Sequence, residues 1–146
     1  MRKIATFIFT LFVGVSVFAS VGWMTDMEKA MKLSTKTGKP ILADFSGSDW
    51  CGWCVKLDRE VFSQKIFKDF AKDNLILVLL DFPRSKPMTA KLKKQNAALA
   101  TKYRIRGYPT VLLLDSKGKV IVKTGYRRGG SQKYIDFLKS KMSAKK

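Results

Sequence analysis

The spacing of hydrophobic positions predicts alternating helices and strands along the chain. From Thr25 to Gly38, apolar residues recur at helical spacing, with Thr25 and Glu28 placed as a capping box and Gly38 as a C-terminal cap. The short apolar run ILADFSG predicts a buried strand, and helical periodicity then continues from Cys51 to about Phe62. The first part of the domain is therefore predicted to be helix, strand, helix.

The pattern continues in the same way through the second half of the chain. Ser63 is placed to cap a further turn or helix, and the unbroken apolar run LILVLLD (Leu75 to Asp81) is typical of a central strand covered on both faces. Thr89 is a predicted cap for a helix that ends near Tyr103. The runs TVLLLD and VIVK flank the turn SKGK and predict an antiparallel hairpin, and Ser131 is placed to cap a last helix.

This order of elements indicates an α/β fold. A strand-helix-strand unit gives a parallel centre to the sheet, and the terminal hairpin adds an antiparallel edge. We expect a single domain with a central mixed sheet and helices on both faces. The two cysteines fall at a strand-to-helix junction, and functional groups of such sheets collect beyond the carboxyl ends of the strands.

The first residues predict export. Arg2 and Lys3 precede a mainly apolar stretch from Ile4 to Phe18, and the sequence VFA then offers small residues at the spacing of a signal-peptidase site. We predict a signal peptide over residues 1–19, cleaved after Ala19, and one domain over residues 20–146. An uncleaved N-terminal anchor is the alternative, because the apolar stretch is barely long enough to span a bilayer.

The composition excludes several kinds of functional site. The formal net charge is +18, or +16 without Arg2 and Lys3, which suits either a solvated lysine-rich surface or attraction to acidic partners. Export and the lack of an aromatic-basic motif argue against nucleic acid. The chain contains no histidine, so it has no imidazole base and lacks the commonest zinc ligand. Two cysteines are too few for a structural zinc site, and a bridge across two residues would stabilise the fold only weakly.

The segment SDWCGWC therefore suggests a reactive dithiol. A cysteine in the first turn of a helix faces unbonded backbone N–H groups, which lower its pKa below the ordinary value of about 8.5. Cys51 holds that position, and Cys54 lies one turn inward, so Cys51 is expected to attack and Cys54 to resolve. Trp50 and Trp53 are predicted to form a partly exposed apolar platform for substrate, or alternatively to be simple packing residues.

Two segments resemble the thioredoxin superfamily. DFSGSDWCGWC is similar to the active-site segment of that family, and YRIRGYPTVLLLDSKGKVI is similar to its cis-proline segment and following hairpin. The resemblance covers Trp23 to about Lys141. The long first helix, the Ser-Gly-Ser-Asp run and the leader are more like the small periplasmic thioredoxin-like group, which includes DsbH-type proteins and the C-terminal domain of the DsbD reductase. The resemblance thus implies a periplasmic protein.

The resemblance also assigns roles to individual residues. It implies that Cys51 and Cys54 form a redox-active disulfide, with Cys51 as nucleophile and Cys54 as resolving thiol. Pro109 becomes the cis-proline beside the disulfide, where a missing N–H lets sulfur approach closely. The backbone of Tyr108 would pair with an extended client segment. The alternative for Pro109 is an ordinary turn at a strand edge.

Asp44 matches the buried carboxylate of the family, which accepts a proton when the resolving thiol ionises. Two departures from the family pattern affect this residue. One residue more than in thioredoxin separates Asp44 from Cys51, and the neighbouring lysine of the next central strand has no counterpart in LILVLLD. A buried Asp44 without a cation should have a raised pKa, which suits a proton acceptor. The alternative is a hydrogen-bonded carboxylate at the strand end.

The expected activity is reduction or isomerisation of disulfides in envelope proteins. The pair Gly52-Trp53 between the cysteines adds no charge, so Cys51 should be only moderately acidic. The chain has too few metal ligands and no nucleotide-binding motif, so we expect no metal and no cofactor, and electrons would come from a membrane DsbD-like reductant. No dimerisation domain is evident, which predicts a monomer. The alternatives are a dithiol oxidase of the same fold and a non-enzymatic copper(I)-binding or client-binding protein.

Overall fold

The computed structural model describes residues 22–143, so the predicted signal peptide (1–19) and the end of the lysine-rich tail lie outside the described residues. The order of the described elements agrees with the order predicted from sequence. They are α1 (Met27–Thr37), β1 (Ile41–Ser46), α2 (Gly52–Leu57), a π-helical segment (Asp58–Phe62), α3 (Lys65–Asn74), β2 (Ile76–Asp81), α4 (Ala90–Lys102), β3 (Thr110–Leu114), β4 (Val120–Thr124) and α5 (Gly130–Ser143).

The four described strands form one mixed sheet in the order β2-β1-β3-β4. Strand β1 runs parallel to β2 and antiparallel to β3, and β3 and β4 form the predicted antiparallel hairpin. Every residue of β1 is buried. The α/β fold with a mixed sheet is confirmed, and β1 leads from its centre directly into the cysteine segment.

Strand β2 was predicted to be central, and this prediction is wrong. It is the outer strand of the sheet, and beyond it Met24 forms a single parallel bridge, accepting from Leu79 N and donating to Leu77 O. The apolar run has another cause: residues on both faces of β2 pack into the core, so Leu77 joins one hydrophobic cluster while Ile76 joins the other. A continuous apolar run indicates that both faces of a strand are buried, but it does not indicate whether the strand has a neighbour on each side in the sheet.

Two hydrophobic clusters fill the space between the sheet and its helices. On one face, Leu42 packs with residues of α2, the π-helical segment, α3 and α5, among which Tyr134 is 1% exposed. On the other face, Phe45 packs with α1 and partly buried residues of α4. This three-layer arrangement confirms the predicted helices on both faces of the sheet.

Details at the helix ends differ from the predictions. The N-cap of α1 is Asp26, whose carboxylate accepts from Lys29 N, rather than Thr25. Gln64 rather than Ser63 precedes α3. Ser131 lies inside α5, where its hydroxyl donates to carbonyl oxygens of the π-helical segment. Two other predicted caps are confirmed. Gly38 ends α1 in the left-handed conformation, and Thr89 caps the start of α4.

Candidate active site

The two cysteines form a disulfide where the β1–α2 loop meets α2. Cys51 is the N-cap residue of α2, its Sγ accepts from Cys54 N at 3.2 Å, and its own N–H donates to Gly47 O at 2.8 Å. Both residues are nearly buried, at 7% exposed for Cys51 and 4% for Cys54. The two residues therefore differ little in exposure in this oxidised form, and the stronger asymmetry lies in what surrounds Cys54.

Asp44 lies on β1 with its side chain on the same face as Leu42, beneath the start of α2. Its strand neighbours are Leu79 and Val111, so no cation stands opposite it in the sheet. The residue is 6% exposed, and its Oδ1 has no hydrogen-bond partner among residues 22–143. Burial, together with the negative charges of Asp58 and Asp81, raises the pKa of Asp44 to about 7. The alternative of a hydrogen-bonded carboxylate at the strand end would require a donor to Oδ1 that residues 22–143 do not supply.

A cavity of about 300 Å³ brings this carboxylate together with the inner cysteine. Asp44 and Cys54 both line it, and Asp58 contributes a second carboxylate to the same walls. A buried acid with a pKa near neutrality, placed in one cavity with a thiol, can take up the proton that the thiol releases. The remaining lining residues are Trp23, Ser46, Ser48, Val55, Phe62 and Leu79.

Asp58 is a site residue that the sequence analysis did not single out. It begins the π-helical segment four residues after Cys54, and its Oδ2 accepts from the Ser63 hydroxyl at 2.8 Å. The spacing of four residues on a helix, which places two side chains on one face, was the available signal. The sequence alone did not indicate that this face also meets Asp44 across a cavity.

The residue inserted before Cys51 belongs to a loop that is bound to the segment following β2. Ser48 donates from its N–H and its hydroxyl to the two carboxylate oxygens of Asp81, at 2.9 and 2.6 Å. Asp49 accepts from the backbone N–H groups of Arg84, Ser85 and Lys86 at 2.7–3.1 Å, and these bonds lower its pKa. The Ser-Gly-Ser-Asp run is thus bound to the segment after β2 through two carboxylates, that of Asp81 and its own Asp49.

Trp50 packs on one side of the dithiol. Its Nε1 donates to Phe82 O at 2.8 Å, and its ring meets Tyr108 edge-on at 5.7 Å between centroids. Arg84 lies over the Trp50 ring, with its guanidinium carbon 4.1 Å from the ring centroid. A side chain on Gly47 would overlap the Trp50 ring, so the glycine is required for this packing.

Trp53 packs on the other side and is 56% exposed, compared with 37% for Trp50. Its ring lies 5.1 Å from that of Tyr126, and Lys56 Nζ lies 5.0 Å from the Trp53 centroid. The Tyr126 hydroxyl donates to Glu60 at 2.6 Å. The two tryptophans are therefore both packed and partly exposed, as a platform beside the dithiol requires.

The Tyr108–Pro109 peptide bond is cis, and it immediately precedes β3. Because Thr110 pairs with Phe45 near the end of β1, these two residues lie at the same edge of the sheet as the cysteine loop. Tyr108 also contacts the rings of Trp50 and Phe82. The structure thus places all seven residues of the predicted site at one edge or directly beneath it.

Among residues 22–143, no group of three or more histidine, cysteine, aspartate or glutamate side chains is arranged to hold a metal ion. None of the helices in that range has the length and apolar character to cross a membrane.

Comparison with known proteins identifies relatives of this arrangement. The family described as "Thioredoxin-like domain" matches residues 27–139. The disulfide bond reductase DsbH of Chlamydia pneumoniae is 33% identical over 84% of this chain and 73% of its own length. The thiol:disulfide interchange protein DsbD of Yersinia pestis is 32% identical over 73% of this chain, but the match spans only 16% of DsbD. A solved structure of a DsbH oxidoreductase superposes with a TM-score of 0.80, at 32% identity and 86% coverage of each chain.

The pKa of Asp44 predicts how stability depends on pH. Because the folded-state pKa is about 7 against an ordinary 3.8, the folded protein keeps a proton that the unfolded chain loses, and stability falls as pH rises from about 4 to 7. Asp44→Asn removes this titration. The difference in free energy of unfolding, variant minus wild type, should increase across that range by up to about 4 kcal/mol and then level off. Urea denaturation of the oxidised proteins between pH 4 and 8 measures it.

Asp49→Asn is the matched control, since it makes the same substitution in the neighbouring loop. Hydrogen bonds lower the pKa of Asp49, so its carboxylate stabilises the fold above that pKa and the stabilisation is lost in acid. The Asp49→Asn difference should therefore stay nearly level between pH 4 and 8 and change only at lower pH, in the opposite direction. A difference for Asp44→Asn that does not vary with pH would contradict a raised pKa.

Proposed function

Because the chain belongs to the thioredoxin-like family, we propose that it is an exported thiol-disulfide oxidoreductase that reduces or isomerises disulfides in envelope proteins. Thiol-disulfide oxidoreductase activity as such follows from its DsbH and DsbD relatives. The proposal concerns the direction of the reaction, the compartment, the periplasmic clients and the role of each residue.

One observation carries the proposal: the Cys51–Cys54 disulfide stands over a cavity that also holds the buried carboxyl of Asp44. A structural disulfide that closes so short a loop contributes little stability, and a buried acid without a cation beside it gives no structural benefit. In a catalytic dithiol such an acid has a function, because the second thiol must lose a proton in a site from which water is largely excluded.

The proposed reaction balances over two thiol-disulfide exchanges. The thiolate of reduced Cys51 attacks one client sulfur, the client S–S bond breaks, and a mixed disulfide forms as the first client thiolate leaves. Asp44 takes the proton of Cys54, whose thiolate then attacks the Cys51 sulfur and releases the second client thiolate. The client gains two electrons, and its two thiolates take up the proton held by Asp44 and, through solvent, the proton that Cys51 lost on ionising. The Cys51–Cys54 pair is left as a disulfide.

Reduction is the proposed net direction. The relative DsbH is named a disulfide bond reductase, and Gly52-Trp53 places no charge between the cysteines to stabilise a strongly oxidising thiolate. A reductase must be recharged, so we propose a DsbD-like membrane dithiol as the electron donor. The remaining contacts with clients are assigned to Trp50, Trp53, Tyr108 and the cis-proline Pro109, which surround the disulfide.

The roles of the two cysteines predict different trapping behaviour. Cys54→Ser should accumulate mixed disulfides with client proteins, because attack by Cys51 proceeds and resolution cannot. Cys51→Ser should accumulate none above background. Non-reducing electrophoresis of the two variants isolated from the same cell envelope, followed by reduction of the high-mass bands, measures this. Equal trapping by both variants would overturn the assignment of nucleophile and resolving thiol.

The composition of the dithiol predicts its reduction potential. We expect a Cys51–Cys54 couple nearer the value of about −270 mV for thioredoxin than the value of about −120 mV for a strong oxidant. Equilibration with glutathione or dithiothreitol buffers measures the couple, and the reduced protein should accelerate the reduction of insulin. A potential near the oxidant value, with rapid oxidation of reduced peptides, would assign the protein to the alternative of a dithiol oxidase.

The cavity predicts a specific kinetic defect for Asp44→Asn. Loss of the proton acceptor should slow resolution of a preformed mixed disulfide about tenfold or more at neutral pH, with partial recovery at higher pH where hydroxide substitutes. Attack by Cys51 should change less, because the backbone around Cys51 governs its ionisation. Single-turnover kinetics across pH separate the two steps. Superimposable resolution profiles for the variant and wild type would remove Asp44 from the mechanism.

A further inference from the structure

One continuous segment of the chain is strongly one-sided in charge. Between Phe82 and Leu114, which spans the loop after β2, α4 and the approach to β3, the sequence contains basic residues and no acidic residue. The basic residues are Arg84, Lys86, Lys91, Lys93, Lys94, Lys102, Arg104 and Arg106. Basic residues are spread over the whole chain at a similar density, and what distinguishes this structural unit is that no acidic residue within it offsets them.

Part of this unit forms a groove. A cavity of about 320 Å³ lies between the loop after β2 and α4, and three exposed cationic side chains line it. These are Arg84 and Lys86 from the loop and Lys93 from α4. The rest of the lining is mostly apolar, including Phe82, Met88 and Ala97, with Asp81 and Asn96 as its other polar members. The groove therefore offers a short concave surface with several positive charges beside apolar side chains.

The carboxylates nearest to this groove are already bound by the protein. Asp81, which lies in the lining, accepts both bonds from Ser48, and Lys86 Nζ reaches the same Ser48 hydroxyl at 3.3 Å. Asp49 accepts three backbone N–H groups of the loop. Their oxygens are directed at donors within the fold. In the described part of the chain, no carboxylate lies within ion-pair distance of the side chains of Arg84, Lys86 or Lys93.

The groove adjoins the dithiol. Arg84, which lines the groove, stacks on Trp50, and the Trp50 indole donates to the carbonyl of Phe82 in the groove wall. Trp50 directly precedes Cys51. A chain segment that reaches Cys51 across the Trp50 ring would therefore continue naturally into the groove.

We propose that this basic groove binds an acidic segment of the client protein, close in sequence to the client cysteine that Cys51 attacks. The inference rests on the proposed function, since it names the class of client for the same dithiol. A client carboxylate beside Arg84 can form paired hydrogen bonds with the guanidinium, while Lys86 and Lys93 add charge without fixed geometry. Complementary charge of this kind raises the rate of encounter and selects among partners more than it raises affinity.

The test uses three sets of short synthetic peptides that carry glutamate, glutamine or lysine at the positions flanking a cysteine. In disulfide-linked form they serve as substrates for the reduced protein, and kcat/KM is measured. With serine in place of cysteine and a fluorescent label, they report binding by anisotropy without any redox chemistry. We expect kcat/KM and affinity to be about tenfold higher for the acidic peptide than for the basic one at low salt, and this preference to shrink in 0.5 M NaCl.

The combined variant Arg84→Gln, Lys86→Gln and Lys93→Gln should reduce the acidic-to-basic ratio to near one. Lys36→Gln is the control for loss of a positive charge, because Lys36 is exposed on α1 before the amino end of β1, opposite the dithiol. It should leave the ratio as in the wild type. A ratio near one in the wild-type protein, or an equal loss with Lys36→Gln, would overturn the proposal.

The binding measurement keeps this inference separate from the proposed function. If none of the linked peptides is reduced but the serine peptide with glutamate still binds selectively at the groove, the acidic-segment site stands and the reductase assignment fails. If all linked peptides are reduced equally, the reductase stands and the site fails. If the wild-type protein shows no preference among the peptides but binds anionic phospholipid vesicles through the groove residues, the groove is a membrane-binding surface and the proposal is overturned.

Discussion

The central constraint on this molecule is that β1 is hydrogen-bonded along both edges and covered on both faces, yet carries a carboxylic acid. Alternation along the strand directs Asp44 to the same side as Leu42, into a hydrophobic layer, and the strands alongside offer only Leu79 and Val111. An acid there cannot be hydrated as it would be in water, so its proton is held more tightly. The dithiol sits where this strand ends, and its inner sulfur shares a cavity with that acid.

Much of the fold followed from local patterns in the sequence, because hydrophobic spacing and cap residues report on the surroundings of a single element. The hairpin, the order of elements and the helix that begins after Thr89 were all predictable in this way. The position of β2 was not. Its apolar run reflects the helices packed above and below it. Its place at the sheet edge depends instead on its pairing partners, which are β1 on one side and only the single bridge to Met24 on the other.

The candidate site shows the same contrast between what local sequence predicts and what depends on the fold. The two cysteines and Pro109 could be identified from motifs, since each motif is contiguous in sequence. The partners of Asp44 could not, because Asp58 and Asp81 come from two other elements and act on it only through space. The same is true of Asp49, whose role depends on backbone N–H groups some 35 residues further along the chain. Sequence motifs identify the candidate dithiol, while the groups packed around it are brought together only by the fold.

The two carboxylate contacts between the cysteine loop and the segment after β2 have a consequence for protein engineering. Asp81 binds Ser48, and Asp49 binds the backbone from Arg84 to Lys86, so each loop is held by hydrogen bonds to the other. Transplanting only the Trp-Cys-Gly-Trp-Cys stretch into another scaffold would leave the motif without its support. A working chimera needs both segments, 46–54 and 81–86, moved together with the strand register that aligns Ser46 with Asp81.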